Sequence, residues 1–304
     1  MTFEAFRTRI NSSKQSTTLL IPFISHFPLQ IVFLSIPVQR RVSALIGILC
    51  LVCAAGKLNA EGFSEQLDAG KRLTYEHRHI ERGEVTGFTY QEFIEKKKGG
   101  TSYLLETQEN VKPEGAVFTS KTLWFELPQG IPKKYVEEDL RENLQIVNTY
   151  EGNKVRTHLS DRKNQQDLKF EVELQGSSSV SFEVILPFIR KHFQEMLDAE
   201  EYLVTLYLPV LAIELERTGL PRSMSLISMR VRDAGTISWE SELGNRQGTW
   251  LEMFPESFML RSILPKEKSH FSFLIDLSPP HYILEFEEGG YRHTLVKLEE
   301  IEGN

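Results

Sequence analysis

The sequence predicts a mainly β fold of the α+β kind. The expected form is a large antiparallel sheet, curved or folded over as a β-sandwich or half-barrel, with one packed helix. Three observations carry this. Runs with period-two alternation recur from residue 72 to 298. Gly-containing turns sit between pairs of such runs at 151–153 and 288–290. Helical spacing of apolar residues is clear in a single stretch, 187–200.

The strands follow in chain order. "RLTYEHRHI" (72–80), "KTLWFEL" (121–127) and "LQIVNTY" (144–150) alternate, and Glu151-Gly152-Asn153 reads as the turn of a hairpin. The pattern is clearest in "DLKFEVEL" (167–174). There Leu168, Phe170, Val172 and Leu174 alternate with Asp167, Lys169, Glu171 and Glu173. Such a strand buries one face and wets the other. "SVSFEVI" (179–185) is of the same type. Pro187 suits a first helical position, and Phe188, Ile189, Phe193, Met196 and Leu197 recur at helical spacing after it. The length of 202–216 permits a helix. Its Val, Thr, Tyr and Ile content, with Pro209 inside, favours two strand pieces around a bend. "SHFSFLIDL" (269–277) is another strand. The segment 281–298 closes the chain as a hairpin, with Tyr282, Leu284 and Phe286 on one stripe and Tyr291, His293 and Leu295 on the return.

The chain has 304 residues and a formal net charge of −7. Residues 1–60 carry +5, so the remainder carries −12. An acidic surface argues against a nucleic-acid partner, which needs clustered Lys and Arg. It also argues against docking on anionic lipid through a basic patch, leaving membrane contact to the N-terminal segment. Cys50 and Cys53 are the two cysteines. Residues 61–304 therefore form no disulfide and offer no thiolate nucleophile or Cys-ligated metal.

The N-terminal part points to export. Arg40 and Arg41 precede an apolar run of 15 residues, 42–56, and Ala60 ends a tolerable cleavage tripeptide, Leu58-Asn59-Ala60. This is the order of a secretory signal, and the run is short of the ~20 residues a membrane span needs. The expected division is 1–60 as N-terminal extension plus signal peptide and 61–304 as an exported β-rich domain in the periplasm. The alternative is an uncleaved inner-membrane anchor, given that 19–38 is apolar too. There Pro22, Pro28 and Pro37 break a helix, and His26 and Gln30 would need partners in lipid. The late position of the signal is explained if residues 1–39 are an over-extended reading frame and the start lies near Val38.

Three stretches carry a family resemblance: "YEHRH" with "RGEVTGFTYQE" (75–92), "FEVILPFIRKHF" (182–193), and "FSFLIDLSPPHYILEFEEGG" with "HTLVKL" (271–298). Over most of residues 70–298 the chain resembles bacterial exported proteins of the domain of unknown function 3108 family. The resemblance implies an exported fold of antiparallel strands and brings no catalytic residues with it.

The chemistry-bearing residues are sparse. His77 and His79 stand two apart on a strand, on one face with Leu73 and Tyr75, and Glu81 follows. Zinc would need a third ligand from elsewhere, drawn from His158, His192, His270, His281 or His293. Without a ligand motif, a strand pair of this kind is far more often structural. Glu137, Glu138, Asp139 and Glu142 cluster beside Arg141, as paired acids do in glycoside hydrolysis, or as a solvated turn does. No G-x-S-x-G or H-E-x-x-H is present, and Ser-rich 175–180 and 219–225 read as turns. No catalytic, metal or cofactor-binding residue is assigned, and no cofactor is expected. Trp124, Phe125, Trp239, Trp250, Phe254, Phe258, Phe271 and Phe273 form either a core or an apolar groove. The expected function is a non-enzymatic binding or assembly factor of the bacterial envelope, with an apolar ligand or a partner protein. A hydrolase or metal enzyme of unrecognised type is the alternative, and a membrane-anchored subunit a third.

Overall fold

Residues 71–79 and 85–98 form the first hairpin of a long meander. The computed structural model describes residues 63–176, 178–263 and 266–301. The extension 1–39, the signal at 40–60 and the boundary at Ala60 lie outside the described residues. Eight strands follow one another as neighbours: β1 (Lys71–His79), β2 (Val85–Lys98), β3 (Thr101–Val111), β4 (Val117–Glu126), β5 (Ile131–Asp139), β6 (Leu144–Glu151), β7 (Lys154–Asp161) and β8 (Gln166–Glu173). The C-terminal half returns in the opposite sense. It comprises β9 (Ser179–Ser181), β10 (Tyr202–Tyr207), β11 (Leu226–Ser241), β12 (Gly244–Pro255), β13 (Phe271–Asp276), β14 (Ile283–Glu288) and β15 (Tyr291–Glu300). The two halves join where β15 pairs with β1, giving one 15-stranded sheet with β8 and β9 at its ends. Every neighbouring pair is antiparallel except β9 with β10. The mainly β fold with a large curved sheet is thus the observed architecture.

Period-two burial gives the sheet an inner and an outer face. In β8, Phe170 and Val172 are buried while Lys169 and Glu171 are exposed, as the alternation predicts. Leu144, Ile146, Asn148 and Tyr150 of β6 and Val155, Thr157, Leu159 and Asp161 of β7 point the same way. The hairpin at 151–153 forms as read, and so does the terminal one. Gly289 and Gly290 both adopt positive φ there (59° and 84°), a turn that matches the strands' own twist.

The helices depart from the sequence reading. The single helix expected at 187–200 is two: α2 (Ile185–Lys191) and α3 (Phe193–Asp198), broken at His192 with φ −105° and ψ 15°. They follow a one-turn α1 (Phe63–Gln66) in chain order. The strand expected at 179–185 shrinks to β9, because Phe182–Val184 turns as a 3-10 helix and aims Glu183 inward. The bend expected in 202–216 is a strand followed by a helix, α4 (Pro209–Thr218). Pro209 sits at the first helical turn, where its missing N–H costs nothing, and Leu208 before it stays extended (φ −107°, ψ 97°). Gly219 ends the helix in the left-handed region. Burial of Ala212, Ile213 and Leu215 overrides the β preference of the composition. Two short helices, α5 (Phe258–Ile263) and α6 (Lys266–Ser269), follow β12.

The two sheet ends meet through side chains. Tyr207 Oη and Thr157 Oγ1 lie 3.1 Å apart, joining β10 to β7. Tyr150 Oη donates to Glu183 at 2.6 Å, and Asn148 Nδ2 donates to the same carboxylate. Arg217 of α4 reaches Asp161 of β7 at 3.5 Å. The inner face is thereby closed on itself. One rim carries α1, α2 and the turns at 99–100, 127–130 and 277–282. The other, the far rim, carries the turns at 80–84, 112–116, 162–165 and 289–290.

Candidate functional site

A polar belt crosses the inner face. Thr89 and Gln91 of β2, Glu106 and Gln108 of β3, Lys121 of β4, Glu137 of β5 and Asn148 and Tyr150 of β6 all occupy inward positions. Glu106 is 2% exposed and accepts from Gln91 at 2.7 Å and Gln108 at 2.5 Å. Burial pushes its pKa up against those two bonds. Burial opposes the charge of Lys121, but Glu137, Glu288, Glu183 and Glu106 together hold its pKa up. Its ammonium stands 3.9 Å from Glu137, to which Tyr135 Oη donates at 2.8 Å. Burial likewise raises Glu183 against donors from Ser181, Tyr150 and Asn148. Most of the belt's polar groups satisfy one another, as buried polar groups must.

At the far-rim side of the belt, the strand register puts His77 of β1 opposite His293 of β15. Their rings meet edge to face with centroids 4.3 Å apart. Phe286 stacks flat on His293 at 4.0 Å. His77 Nε2 bonds Thr89 Oγ1 at 2.6 Å, and Thr89 in turn donates to Asn110 at 2.5 Å. Both ring nitrogens of His293 are buried without a hydrogen-bond partner among the described residues. A Glu288 oxygen lies 3.9 Å from His293 Nε2. Burial drives His77 down to about 4 and His293 down to about 3, Glu288 working against the drop in each.

Of the candidate third partners for His77 and His79, His293 is the one brought against His77. His79 instead lies edge-on to Tyr291 at 5.3 Å and accepts from the Arg82 amide at 3.3 Å. His158 bonds Asp167, His192 bonds Glu195 at 3.0 Å, and His281 bonds the Asp276 carbonyl at 3.0 Å. Among the described residues, no three His, Cys, Asp or Glu side chains are placed to hold a metal ion. The acid cluster is split by the strand. Glu137 faces in, Glu138 faces out to Gln145 at 2.7 Å, and Asp139 caps the β5–β6 turn through Arg141 at 2.9 Å and the Glu142 amide at 3.2 Å.

The aromatic rings are mostly core. Phe125, Trp239, Phe254, Phe271 and Phe273 are buried, and Trp124 and Trp250 half-buried on the outer face. Phe258 stands apart. It is 78% exposed beside Met259 at 65%, both on α5. A cleft of about 500 Å³ opens at the far rim, bounded by residues of α5, α6, β12 and the 289–290 turn. Ile80, Met253, Phe254 and Phe271 supply its apolar wall. Arg261, Lys266 and His270 supply its basic edge. Arg261 lies over the Phe254 ring at 5.5 Å, and His270 stacks on that ring at 5.9 Å. Arg232, also over Phe254, is neutralised by Glu252 at 2.7 Å. Sequence reading missed this cleft because its walls are drawn from six separate segments, at 80, 232, 252–254, 261, 266–272 and 287–290. Phe258-Met259 next to Arg261 was the local signal.

No helix of the described residues is long and apolar enough to cross a membrane. No family model matches the chain, that of the 3108 family included, and no curated protein matches it. Among solved structures it is similar to a β-barrel-like protein of domain of unknown function 1849 from Brucella abortus. That match has 13% identity and a TM-score of 0.41, covering 75% of this chain and 96% of that one. It is similar also to a protein from Bacteroides fragilis described as exported, with a YmcC-like fold. There the identity is 9%, the TM-score 0.32 and the coverage 76% and 96%. A protein from Parabacteroides distasonis described as a lipoprotein gives 9% identity and a TM-score of 0.33, covering 78% and 98%.

Proposed function

We propose that the protein is an exported envelope factor that binds an acyl-chain amphiphile with an anionic head, and acts by binding rather than catalysis. One observation carries this: the far-rim cleft joins an apolar wall to an edge with Arg261 and Lys266, while its carboxylates Glu252 and Glu287 are paired with Arg232 and Arg292 and Glu288 also lines it. Ile80, Met253, Phe254 and Phe271 suit a hydrocarbon chain, and Arg261 and Lys266 suit the charged end. Phe258 and Met259, exposed on the same short helix as Arg261, offer an apolar surface on which a ligand, or a partner protein delivering it, would dock. The signal-like order of Arg40-Arg41, the run 42–56 and Ala60 supports a periplasmic location. An inner-membrane anchor would differ in keeping residues 19–56 attached.

The test is lipid analysis of the full chain purified from envelopes. The expected result is a co-purifying anionic lipid or fatty acid, reduced at least about tenfold in R261E/K266E, the loss of a charge-assisted head-group contact. An empty wild type, or equal loading in the variant, overturns the reading.

A metal-enzyme reading has one observation in its favour, the contact of His77 with His293 beside Glu288. It predicts zinc retained through dialysis and lost in H293F. Metal-free protein by elemental analysis dismisses it.

A further inference from the structure

On the α1–α2 rim of an acidic domain, positive charge is concentrated at the β2–β3 tip. The β2–β3 hairpin ends in Lys96, Lys97 and Lys98, all exposed, ahead of the Gly99-Gly100 turn. On the outer face beside it, Trp124 lies edge-on to Tyr103 at 5.8 Å and beneath the Lys98 ammonium at 5.9 Å. Lys134 stands opposite Trp124 in the β4–β5 register. Ile131, at the start of β5, is 47% exposed. Two acids share the patch: Glu95 and Glu126, and Lys133 occupies the second at 2.5 Å. Lys96, Lys97, Lys98 and Lys134 have no ion-pair partner among the described residues.

A second observation comes from where the described chain begins. Phe63 packs on Phe125 at 5.0 Å and closes over Gly130 so tightly that a Cβ there would enter its ring. Lys191 lies over Phe63 at 5.8 Å and donates to the Gln129 carbonyl at 3.2 Å. Phe63, the first described residue, is thereby held at this rim; residues 1–60 of the sequence carry the apolar runs 19–38 and 42–56 and a net charge of +5.

We infer that this rim is a membrane-facing surface that docks on anionic phospholipid headgroups. Lysines near an anionic leaflet gain from its surface potential within about a Debye length, roughly 8–10 Å in physiological salt. Trp and Tyr side chains belong at the headgroup level, with the ring in the apolar boundary and the polar edge in water. The −12 of residues 61–304 repels the rest of the surface from the same leaflet. Charge therefore selects one orientation, with the β2–β3 tip down and the far rim turned to the aqueous side. The inferred contact extends beyond the N-terminal segment to which the sequence reading confined it. It does not depend on what the cleft holds.

The full chain tests this after reconstitution into vesicles. Cys50 and Cys53 are replaced by Ser, and a nitroxide is attached through Lys97→Cys or, at the far rim, through Arg162→Cys. Vesicles are phosphatidylcholine alone, or phosphatidylcholine with about a third phosphatidylglycerol to set the surface potential. In the anionic vesicles the label at 97 should lose access to a water-soluble paramagnetic relaxer several-fold, and regain it in high salt. The label at 162 should stay accessible throughout. K96E/K98E/K134E should abolish the protection at 97 while leaving the thermal midpoint unchanged. Equal access at 97 in both vesicle types, or protection that survives the charge reversal, overturns the inference.

Discussion

The imidazoles of His77 and His293 face each other at 4.3 Å across the seam that joins the two halves of the sheet. They are buried, and burial holds both far below the usual imidazole range, at about 4 and about 3. Groups facing the pair are Glu288, which favours the charged form, and Lys121, which opposes it. The unfolded chain takes up these protons near pH 6.5 and the folded chain does not. Stability from the pair is thus complete above about pH 6.5 and is lost as pH falls toward 4, since the unfolded state then binds more protons. Urea midpoints measured from pH 7.5 to 4.5 should fall, and H77F/H293F should flatten that fall. An unchanged slope in the double variant would remove the pair from the account.

At neutral pH, His293→Phe alone should leave stability the same or raise it. Both ring nitrogens of His293 are buried without partners among the described residues, so the substitution removes an unmet polar cost and keeps the stack on Phe286. His77→Phe should be worse, because it removes the partner that bonds Thr89 Oγ1 through Nε2 at 2.6 Å and leaves that hydroxyl with Asn110 alone. The difference should be on the order of 1–3 kcal/mol in denaturant unfolding. A larger loss at 293 than at 77 contradicts the assignment.

Glu183 latches the two ends of the sheet. It accepts from Tyr150 and Ser181 at 2.6 Å each and from Asn148. Glu183→Ala leaves three donors unmet on the inner face, at about 1–3 kcal/mol for each that water does not reach. Hydrogen exchange should quicken first in β6 and β7, which the latch holds, with the β14–β15 hairpin keeping its protection. Uniform acceleration across the sheet would mean that Glu183 is one core contact among many.

Arg190 shows what a sequence can and cannot reveal. The stretch that contains it stands out, but the role of the guanidinium does not. Its partners are the carbonyl of Gln66 at 2.5 Å and that of Pro280 at 2.9 Å, 124 and 90 residues away. Its charge lies over Phe93 and Tyr282 at 6.0 and 5.6 Å, and burial lowers its pKa to about 10. Arg190→Lys keeps a charge but loses the fork that reaches two carbonyls at once. It should cost about 1.5–3 kcal/mol and loosen α1 and the 277–282 turn together, read as proteolysis at both places. Cleavage at neither would show that the lysine suffices.

The most legible part of the fold has apolar inner positions. β8 and the β14–β15 hairpin carry that contrast and were readable. β2, β3 and β5 were not, because Thr89, Gln91, Glu106, Gln108, Glu137 and Asp139 take inward positions and erase the alternation. The polar belt thus hid β2, β3 and β5, while β4 and β6, which carry Lys121 and Asn148, kept enough alternation to be read. The α4 helix was hidden differently, since burial of Ala212 and Ile213 outweighed local preference. His293 stood among the possible partners of His77, but its choice over four other histidines depends on a β1–β15 pairing more than 200 residues apart.

The register of β8 gives the sharpest stability test. Phe170 is buried at 7% exposure on the inner face, beneath the Arg222 guanidinium at 5.6 Å. Glu171, one residue on, points outward to Lys154 at 2.9 Å and Arg156 at 3.0 Å. Phe170→Ala removes a ring from an end strand that has a ladder on one side and rests on packing at the other. It should cost about 3–5 kcal/mol, at the low end if the edge relaxes into the space. Glu171→Ala breaks two exposed ion pairs, which solvent and salt already screen, so its urea midpoint should match wild type. A slip of one residue would turn Lys169 and Glu171 inward and Phe170 outward, reversing the two effects. Equal destabilisation by both substitutions would mean that β8 does not hold this register in solution.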